Sequence, residues 1–213
     1  VNIGGLKDGV HPRIRNCVVR YGTGNIAEGP AMTREECVQA ILTGVDTVRD
    51  LKAEGYDLIV TGEMGIGNTT TSSACAAVLF DQAPEVVTGR GAGLSTAGLN
   101  KKVCAIERAI EVNHPDKTDA IDVISKVGGL DIAGMVGCYL GAAYYHMPIL
   151  IDGFISAISA YLASMLCETA KEYMIPTHGS AEPAAKLVME HLGMQVPIQA
   201  GMHLGEGTGA IMG

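Results

Sequence analysis

A glycine-rich loop with the spacing Gly62-x4-Gly67 joins an apolar run to a threonine- and serine-rich stretch that is typical of a helix start. A strand, a glycine loop and a helix N-terminus together present backbone N–H groups and a positive dipole end to an anion. The next residue is Asn68, where a P-loop requires the lysine that reaches the β- and γ-phosphates of a nucleoside triphosphate. The loop therefore argues against an NTPase and predicts binding of one phosphate, mainly by backbone groups. A tight strand–helix turn built from small residues is the structural alternative.

Three carboxylates, Glu63, Asp152 and Glu206, each lie in a small-residue loop that follows an apolar run. In a parallel α/β sheet such loops gather at the carboxyl ends of the strands, which is where ligands bind. The sequence therefore predicts one chemical site that contains all three acids. The alternative is that they are solvated loop residues without a shared role.

Strand-like and helix-like segments alternate along the chain, which predicts a doubly wound parallel sheet. The clearest strands are apolar runs bounded by glycine or acids, as expected for strands covered on both faces. These strands are predicted at residues 57–61, 148–151 and 198–204, with weaker candidates at 1–9 and 17–21. Helices are predicted from residue 74 onward and at 33–53, 96–112, 119–127, 129–145, 154–172 and 184–192.

Composition narrows the function classes. The formal net charge is −8, so nucleic acid is a poor partner, and no polybasic patch suggests a membrane surface. No apolar run reaches the 18 residues expected of a membrane-spanning helix. The six cysteines are scattered without a C-x-x-C pair, which favours free thiols in a reducing cytoplasm over a metal site.

The two ends of the sequence and two of its helices lead to further expectations. The sequence begins at Val1 without methionine and stops at Gly213 within an apolar run, so both ends are expected to be cut. The helices at 129–145 and 154–172 are apolar around much of their circumference. We therefore expect a homodimer that covers one of them.

Six segments occur in an order that resembles a known enzyme family. They read GEMGIGNTT at 62–70, GRGAG at 89–93, VGGLDIAG at 127–134, LIDGFI at 150–155, HGSAEP at 178–183 and LGEGTGA at 204–210. Together they are similar to the nicotinate-nucleotide–dimethylbenzimidazole phosphoribosyltransferase family. The resemblance implies transfer of a phosphoribosyl group from nicotinate mononucleotide to a benzimidazole-type base, for the lower ligand of cobalamin. It also implies a Rossmann-like parallel sheet with helices on both faces, a homodimer, and no metal or organic cofactor.

The resemblance also implies roles for particular residues. Glu206 would be the catalytic base, Glu63 would lie beside it, and Leu204 would contact the base substrate. Glu63 or Asp152 would stabilise or hold the ribose. The remaining substrate-binding residues, expected mainly around the 5′-phosphate, are Gly65, Gly67, Asn68, Gly91, Lys102 and Ser180.

Several alternatives stay open at this point. His178 is expected to organise its loop rather than to catalyse, and Arg90 either contacts phosphate or pairs within the protein. The resemblance implies that residues 1–213 form the core domain, and that an N-terminal acceptor-pocket segment and a C-terminal helix lie outside the sequence. The main alternative function is a non-catalytic nucleotide-binding module.

Overall fold

The computed structural model describes residues 1–5, 7–202 and 205–212, and it has an α/β architecture. The α-helices are α1 (Arg34–Ala53), α2 (Asn68–Leu79), α3 (Pro84–Val87), α4 (Thr96–Asn113), α5 (Ala120–Val127), α6 (Leu130–Tyr144), α7 (Phe154–Leu166) and α8 (Ala185–Leu192). The strands are β1 (Ile59–Val60), β2 (Ile149–Ile151), β3 (Met174–Pro176), β4 (His178–Ser180) and β5 (Ile198–Met202). Two 3₁₀ helices span Glu168–Tyr173 and Ala210–Met212.

The strands form two small sheets, and all their pairings are parallel. In the larger sheet the order is β1-β2-β3, with Ile149 of β2 opposite Ile59 of β1 and Met174 of β3. Strands β4 and β5 form the second sheet. Every residue of β2 is buried although successive side chains point to opposite faces, so the centre of the larger sheet is covered on both sides. The predicted α/β fold with parallel strands and helices is confirmed.

Helices α1 and α6 pack with their backbones in close contact. The sequence predicts the start of α1 well, because Thr33 and Glu36 form a complete capping box at its N-terminus. A Cβ atom on Gly137 of α6 would lie 1.9 Å from the carbonyl oxygen of Ile41, and one on Gly44 of α1 would lie 2.0 Å from that of Gly134. The small residues of α6 therefore let its backbone approach that of α1.

Two predicted strands near the N-terminus are wrong. Among the described residues of 1–9 and 17–21 there is one isolated parallel bridge, between Asn2 and Asn16. The two segments do run beside each other, since the N–H groups of Cys17 and Val19 donate to the carbonyls of Asn2 and Ile3 at 2.9 and 3.0 Å. The carbonyl of Gly4 also accepts from the N–H of Gly22 at 3.0 Å, so the donors are unevenly spaced along the second segment and no regular ladder develops.

Other differences concern the second half of the chain. Strands β3 and β4 occupy 174–176 and 178–180, where the sequence predicted no strand. The helix predicted for 154–172 ends at Leu166 and is followed by a 3₁₀ helix. Helices α6 and α7 are covered largely by other parts of the same chain, so the packing argument for a dimer is not needed to bury them. Among the helices of the described residues, none is both long and apolar enough to cross a membrane.

Candidate active site

A cavity opens at the carboxyl ends of the strands, where the loops after β1, β2, β4 and β5 meet. These four loops supply most of the residues that line the cavity, and the turn at residues 91–92 closes one side. The lining residues are Glu63, Met64, Gly65, Asn68, Thr69, Gly91, Ala92, Asp152, Gly153, Phe154, Ile155, Ser156, His178, Ser180, Glu182, Gly205 and Glu206. The sheet edge at which parallel α/β folds bind ligands is thus the edge that carries the acids.

The structure brings most of the sequence-predicted site residues to this cavity. Glu63, Gly65, Asn68, Gly91, Asp152, Ser180 and Glu206 line it. Lys102 is not in the lining and lies behind Thr69. Gly67 is the N-cap of α2, with a φ of 77°, and also lies outside the lining. Leu204 falls outside the described residues.

The loop after β1 and the final loop of the chain touch backbone to backbone. A Cβ on Gly62 would lie 2.6 Å from the nitrogen of Gly207, and a Cβ on Gly205 would lie 2.6 Å from Oε1 of Glu63. Glycine is therefore required at Gly62, where the contact is with backbone, whereas the contact at Gly205 is with the flexible end of the Glu63 side chain. This close approach is what puts Glu63 beside the turn that carries Glu206.

Glu63 lies in a group of acids that is bridged by an amide. Its Oε2 accepts a hydrogen bond from Nδ2 of Asn68, and the same nitrogen donates to Oδ2 of Asp131 at 2.9 Å. Burial raises the pKa of Glu63 to about 7, and the charges of Asp131, Asp152 and Glu206 act in the same direction, opposed by the Asn68 bond. Glu63 therefore changes protonation near neutral pH. Asp131 is a residue that the sequence reasoning missed, although it lies within the 127–134 motif.

Glu206 is exposed to the cavity and has an unusual backbone conformation. Its φ is 66°, in the left-handed region that non-glycine residues rarely adopt, and Gly207 follows with a φ of 80°. The N–H and the hydroxyl of Thr208 both donate to the carbonyl of Gly205, at 3.3 and 2.9 Å, and close a turn around Glu206. Left-handed residues outside glycine are found preferentially at functional sites, where surrounding structure holds them.

Asp152 is buried beneath that turn, and backbone donors occupy both of its oxygens. Oδ2 accepts from the N–H of Gly207 at 3.0 Å and Oδ1 from the N–H of Ala210 at 2.9 Å. The N–H of Asp152 in turn faces the hydroxyls of Thr61 and Ser156, at 3.3 and 3.1 Å. These hydroxyls form a buried network with Tyr139. Nothing in the residue pattern revealed this network, because its members come from four separate elements.

On the other side of the cavity a lysine is buried beside a glycine loop. Lys102 is only 6% exposed, and its Nζ donates to Oγ1 of Thr69 at 2.9 Å and to the carbonyl of Gly89 at 3.0 Å. Burial lowers the pKa of Lys102, while the charge of Glu182 opposes that shift. Within the described residues Lys102 forms no ion pair. It is therefore a cation held close to the cavity without neutralisation by direct contact.

Glu182, which the sequence reasoning also missed, ties this loop to the 178–183 segment. Its Oε1 accepts from the N–H of Gly91 at 3.0 Å, whereas its Oε2 is buried with no hydrogen-bond partner among the residues described. Arg90 is engaged with its own loop, donating to the carbonyl of Leu94 and to Oγ1 of Thr96. These contacts hold Arg90 within its own loop, and neither partner is the carboxylate of an ion pair.

His178 packs against the final loop. It is 4% exposed, its Nδ1 lies 3.2 Å from the hydroxyl of Thr177, and a Cβ on Gly209 would lie 1.9 Å from its ring. These contacts favour the expected structural role over a catalytic one, although the ring also forms part of the cavity wall.

Comparisons with known proteins agree with this arrangement. The phosphoribosyltransferase family model matches residues 1–213. Nicotinate-nucleotide–dimethylbenzimidazole phosphoribosyltransferase from Acetivibrio thermocellus is 54% identical over 194 residues, covering 91% of this chain and 55% of that protein. The protein of the same name from Ruminiclostridium cellulolyticum is 50% identical over 201 residues, covering 94% of this chain and 57% of that protein.

Comparison with a solved structure also indicates the phosphoribosyltransferase fold. The crystal structure of CobT from Thermus thermophilus superposes with a TM-score of 0.90 at 36% sequence identity, covering 99% of this chain and 62% of that one. The chain thus spans just over half the length of the two curated relatives. The chain belongs to the phosphoribosyltransferase family that includes the nicotinate-nucleotide–dimethylbenzimidazole phosphoribosyltransferases.

Proposed function

We propose that this chain carries the transfer site of a nicotinate-nucleotide–dimethylbenzimidazole phosphoribosyltransferase. The reaction moves the phosphoribosyl group of nicotinate mononucleotide to 5,6-dimethylbenzimidazole or a related base, giving α-ribazole 5′-phosphate and nicotinate. The observation that supports this most is the meeting of Glu63, Asp152 and Glu206 in one cavity of a chain 54% identical to a protein of that name.

The cavity has two chemically different sides that suit the two parts of the donor. The 5′-phosphate fits beside Gly65, Gly91 and Ser180, where the buried cation of Lys102 lies one residue behind the wall. A phosphate there would be attracted by the lysine and by backbone N–H groups. The ribose C1′ would then face the acidic side, where developing positive charge is stabilised.

The leaving group needs no acid catalyst. The C1′–N bond of nicotinate mononucleotide breaks with its electron pair going to an already cationic pyridinium nitrogen, which releases neutral pyridine nitrogen. The unprotonated ring nitrogen of the benzimidazole forms the new bond to C1′ from the opposite face. This in-line attack inverts the β-nucleotide to the α-product, and positioning of the two rings contributes much of the acceleration.

A base is needed for the acceptor. As its nitrogen attacks, positive charge spreads over the imidazole ring and the other N–H becomes acidic. We assign Glu206 to remove that proton, because it is exposed to the cavity on a turn of its own. General-base help of this kind contributes roughly 10²–10⁴-fold in rate. Glu63, in its ionised form, would stabilise the cationic ribose.

The test is product formation by the full-length protein. Nicotinate mononucleotide and 5,6-dimethylbenzimidazole are incubated with enzyme, and nicotinate and α-ribazole 5′-phosphate are measured by chromatography and mass spectrometry. The proposal expects both products in equal amounts and no nicotinate release when the benzimidazole is left out. Binding of nicotinate mononucleotide in calorimetry without any product would instead support the nucleotide-binding module.

Assembly and location belong to the same proposal. We assign the full-length protein to the cytoplasm, in keeping with six free cysteines, and, as the resemblance to the family implies, to a homodimer. Light scattering over a wide concentration range tests the dimer, and a constant monomer mass would overturn it.

A further inference from the structure

Asp152 was expected to bind substrate, and the structure shows that each oxygen of its buried carboxylate accepts a backbone N–H group. The N–H groups of Gly207 and Ala210 donate to Oδ2 and Oδ1 at 3.0 and 2.9 Å, and the residue is 4% exposed. Each carboxylate oxygen keeps a second acceptor position, but at 4% exposure little of the residue is open to a ribose hydroxyl in the cavity. The two donors, Gly207 and Ala210, lie at the two ends of the segment that follows Glu206.

The turn that these bonds hold is one that would not persist without support. Glu206 has a φ of 66°, which a residue with a Cβ atom rarely adopts, so the surrounding structure must impose this conformation. The bond from Gly207 fixes the residue directly after Glu206. The bond from Ala210 fixes the start of the 3₁₀ helix at Ala210–Met212.

Asp152 is itself held in place from below. Its N–H lies 3.1 Å from the hydroxyl of Ser156 at the first turn of α7, and 3.3 Å from that of Thr61 after β1. The Thr61 hydroxyl donates to the carbonyl of Leu150 in β2 at 2.7 Å. A continuous chain of hydrogen bonds therefore runs from the rigid sheet through Asp152 to the Glu206 turn.

We propose that Asp152 is a positioning residue: its two hydrogen bonds to Gly207 and Ala210 fix the turn that aims the Glu206 carboxylate at the acceptor. This inference rests on the proposed function for its kinetic consequence. The structural part, that Asp152 orders residues 205–210, stands independently of any activity.

The experiment compares Asp152→Asn with the full-length wild type. Asparagine keeps the shape but offers one oxygen, so one of the two N–H groups faces an NH₂ group instead. We expect kcat to fall about 10- to 100-fold, since displacement of a catalytic group by about 1 Å has effects of that order. The dissociation constant for nicotinate mononucleotide, measured by calorimetry, should stay within about twofold.

Hydrogen–deuterium exchange provides a readout that does not need activity. Peptides covering residues 205–212 should exchange faster in Asp152→Asn, while those covering β2 should be unchanged. A control away from the site is Asp119→Asn, because Asp119 also accepts two backbone N–H groups, from Ile121 and Asp122 at the start of α5, although both reach Oδ1 and the carboxylate also pairs with Arg34. That variant should leave both kcat and exchange in residues 205–212 as in the wild type.

Two results would overturn the inference. Tenfold weaker binding of nicotinate mononucleotide with unchanged exchange at 205–212 would make Asp152 a ribose ligand. Unchanged kcat together with unchanged exchange would show that it orders nothing. If the wild type shows no turnover, the proposed function fails while the exchange comparison still decides the structural part.

A second variant covers the case in which Asp152→Asn does not fold. Thr208→Ala removes the hydroxyl bond to Gly205, which closes the same turn at its half-buried edge. It should lower kcat by several-fold without changing affinity for the nucleotide and should speed exchange in the same peptides. Wild-type kcat and exchange in Thr208→Ala would contradict the idea that fixing this turn matters.

Discussion

Replacing Glu63 with glutamine should stabilise the ligand-free protein at pH 8 and have little effect near pH 4.5. Burial and neighbouring acids raise the pKa of Glu63 from 4.5 to about 7 in the folded state. The folded protein therefore binds more protons than the unfolded chain between these values. The raised pKa of Glu63 therefore adds to the free energy of unfolding, fully below about pH 4.5, and this contribution is lost as the pH rises through 7.

The size of the effect follows from the same values. At about 1.36 kcal/mol per pH unit, a pKa change of this extent corresponds to about 3.4 kcal/mol. Glu63 is only half-buried, and solvent screening reduces the value to roughly 1–2 kcal/mol. Glutamine keeps an oxygen that accepts from Asn68 but carries no charge, so the variant should gain about this much at pH 8.

Urea denaturation of both proteins at pH 4.5, 6 and 8 measures the difference directly. The exposed Glu107 of α4 provides the control, since Glu107→Gln makes the same substitution outside the group of acids and should change the free energy of unfolding only slightly. An equal free-energy difference for Glu63→Gln at all three pH values would refute the reasoning. So would a loss of stability at pH 8.

Two further predictions follow from contacts away from the acids. Lys102→Ala should weaken binding of nicotinate mononucleotide by about tenfold or more in calorimetry, because a buried cation near the phosphate is lost. The control Lys101→Ala, on the exposed side of α4, should leave the affinity unchanged. Equal affinities of the wild type and both variants would show that Lys102 does not contribute to phosphate binding. Gly137→Ala should lower the free energy of unfolding by about 1–3 kcal/mol, because its Cβ would lie 1.9 Å from the carbonyl of Ile41. Gly29→Ala, where a Cβ meets open space, is the matched control, and equal stability of the two variants would contradict the packing argument.

The parts of the fold that local chemistry determines could be predicted from the sequence. The capping box at Thr33 marks the start of α1, and the small residues of α6 indicate close packing before the partner helix is known. The ends of β1 and β2 were predicted nearly in place, because continuous apolar runs between glycine or acidic residues leave few alternatives. Strand β3 was missed because Pro176 closes a three-residue segment that has no alternating pattern.

For the site, the sequence indicated which residues meet but not what each one contacts. The motifs containing Glu63, Asp152 and Glu206 suggested one cavity, and the structure places all three in its wall. The backbone donors on Asp152 lie 55 and 58 residues further along the chain, so no local pattern reveals them. Lys102 was expected to contact phosphate directly, but it lies behind Thr69, which only the packing of α2 against α4 determines.

The most direct test of the account is the turnover of Glu206→Gln in the full-length protein with nicotinate mononucleotide and 5,6-dimethylbenzimidazole. Glutamine keeps the size and one oxygen of the side chain but cannot accept a proton at neutral pH. We predict that kcat falls roughly 10²–10⁴-fold while the affinity for nicotinate mononucleotide stays within about twofold of the wild type. A near-normal kcat in Glu206→Gln would contradict the assignment of Glu206 as the base, and with it the central claim about this cavity.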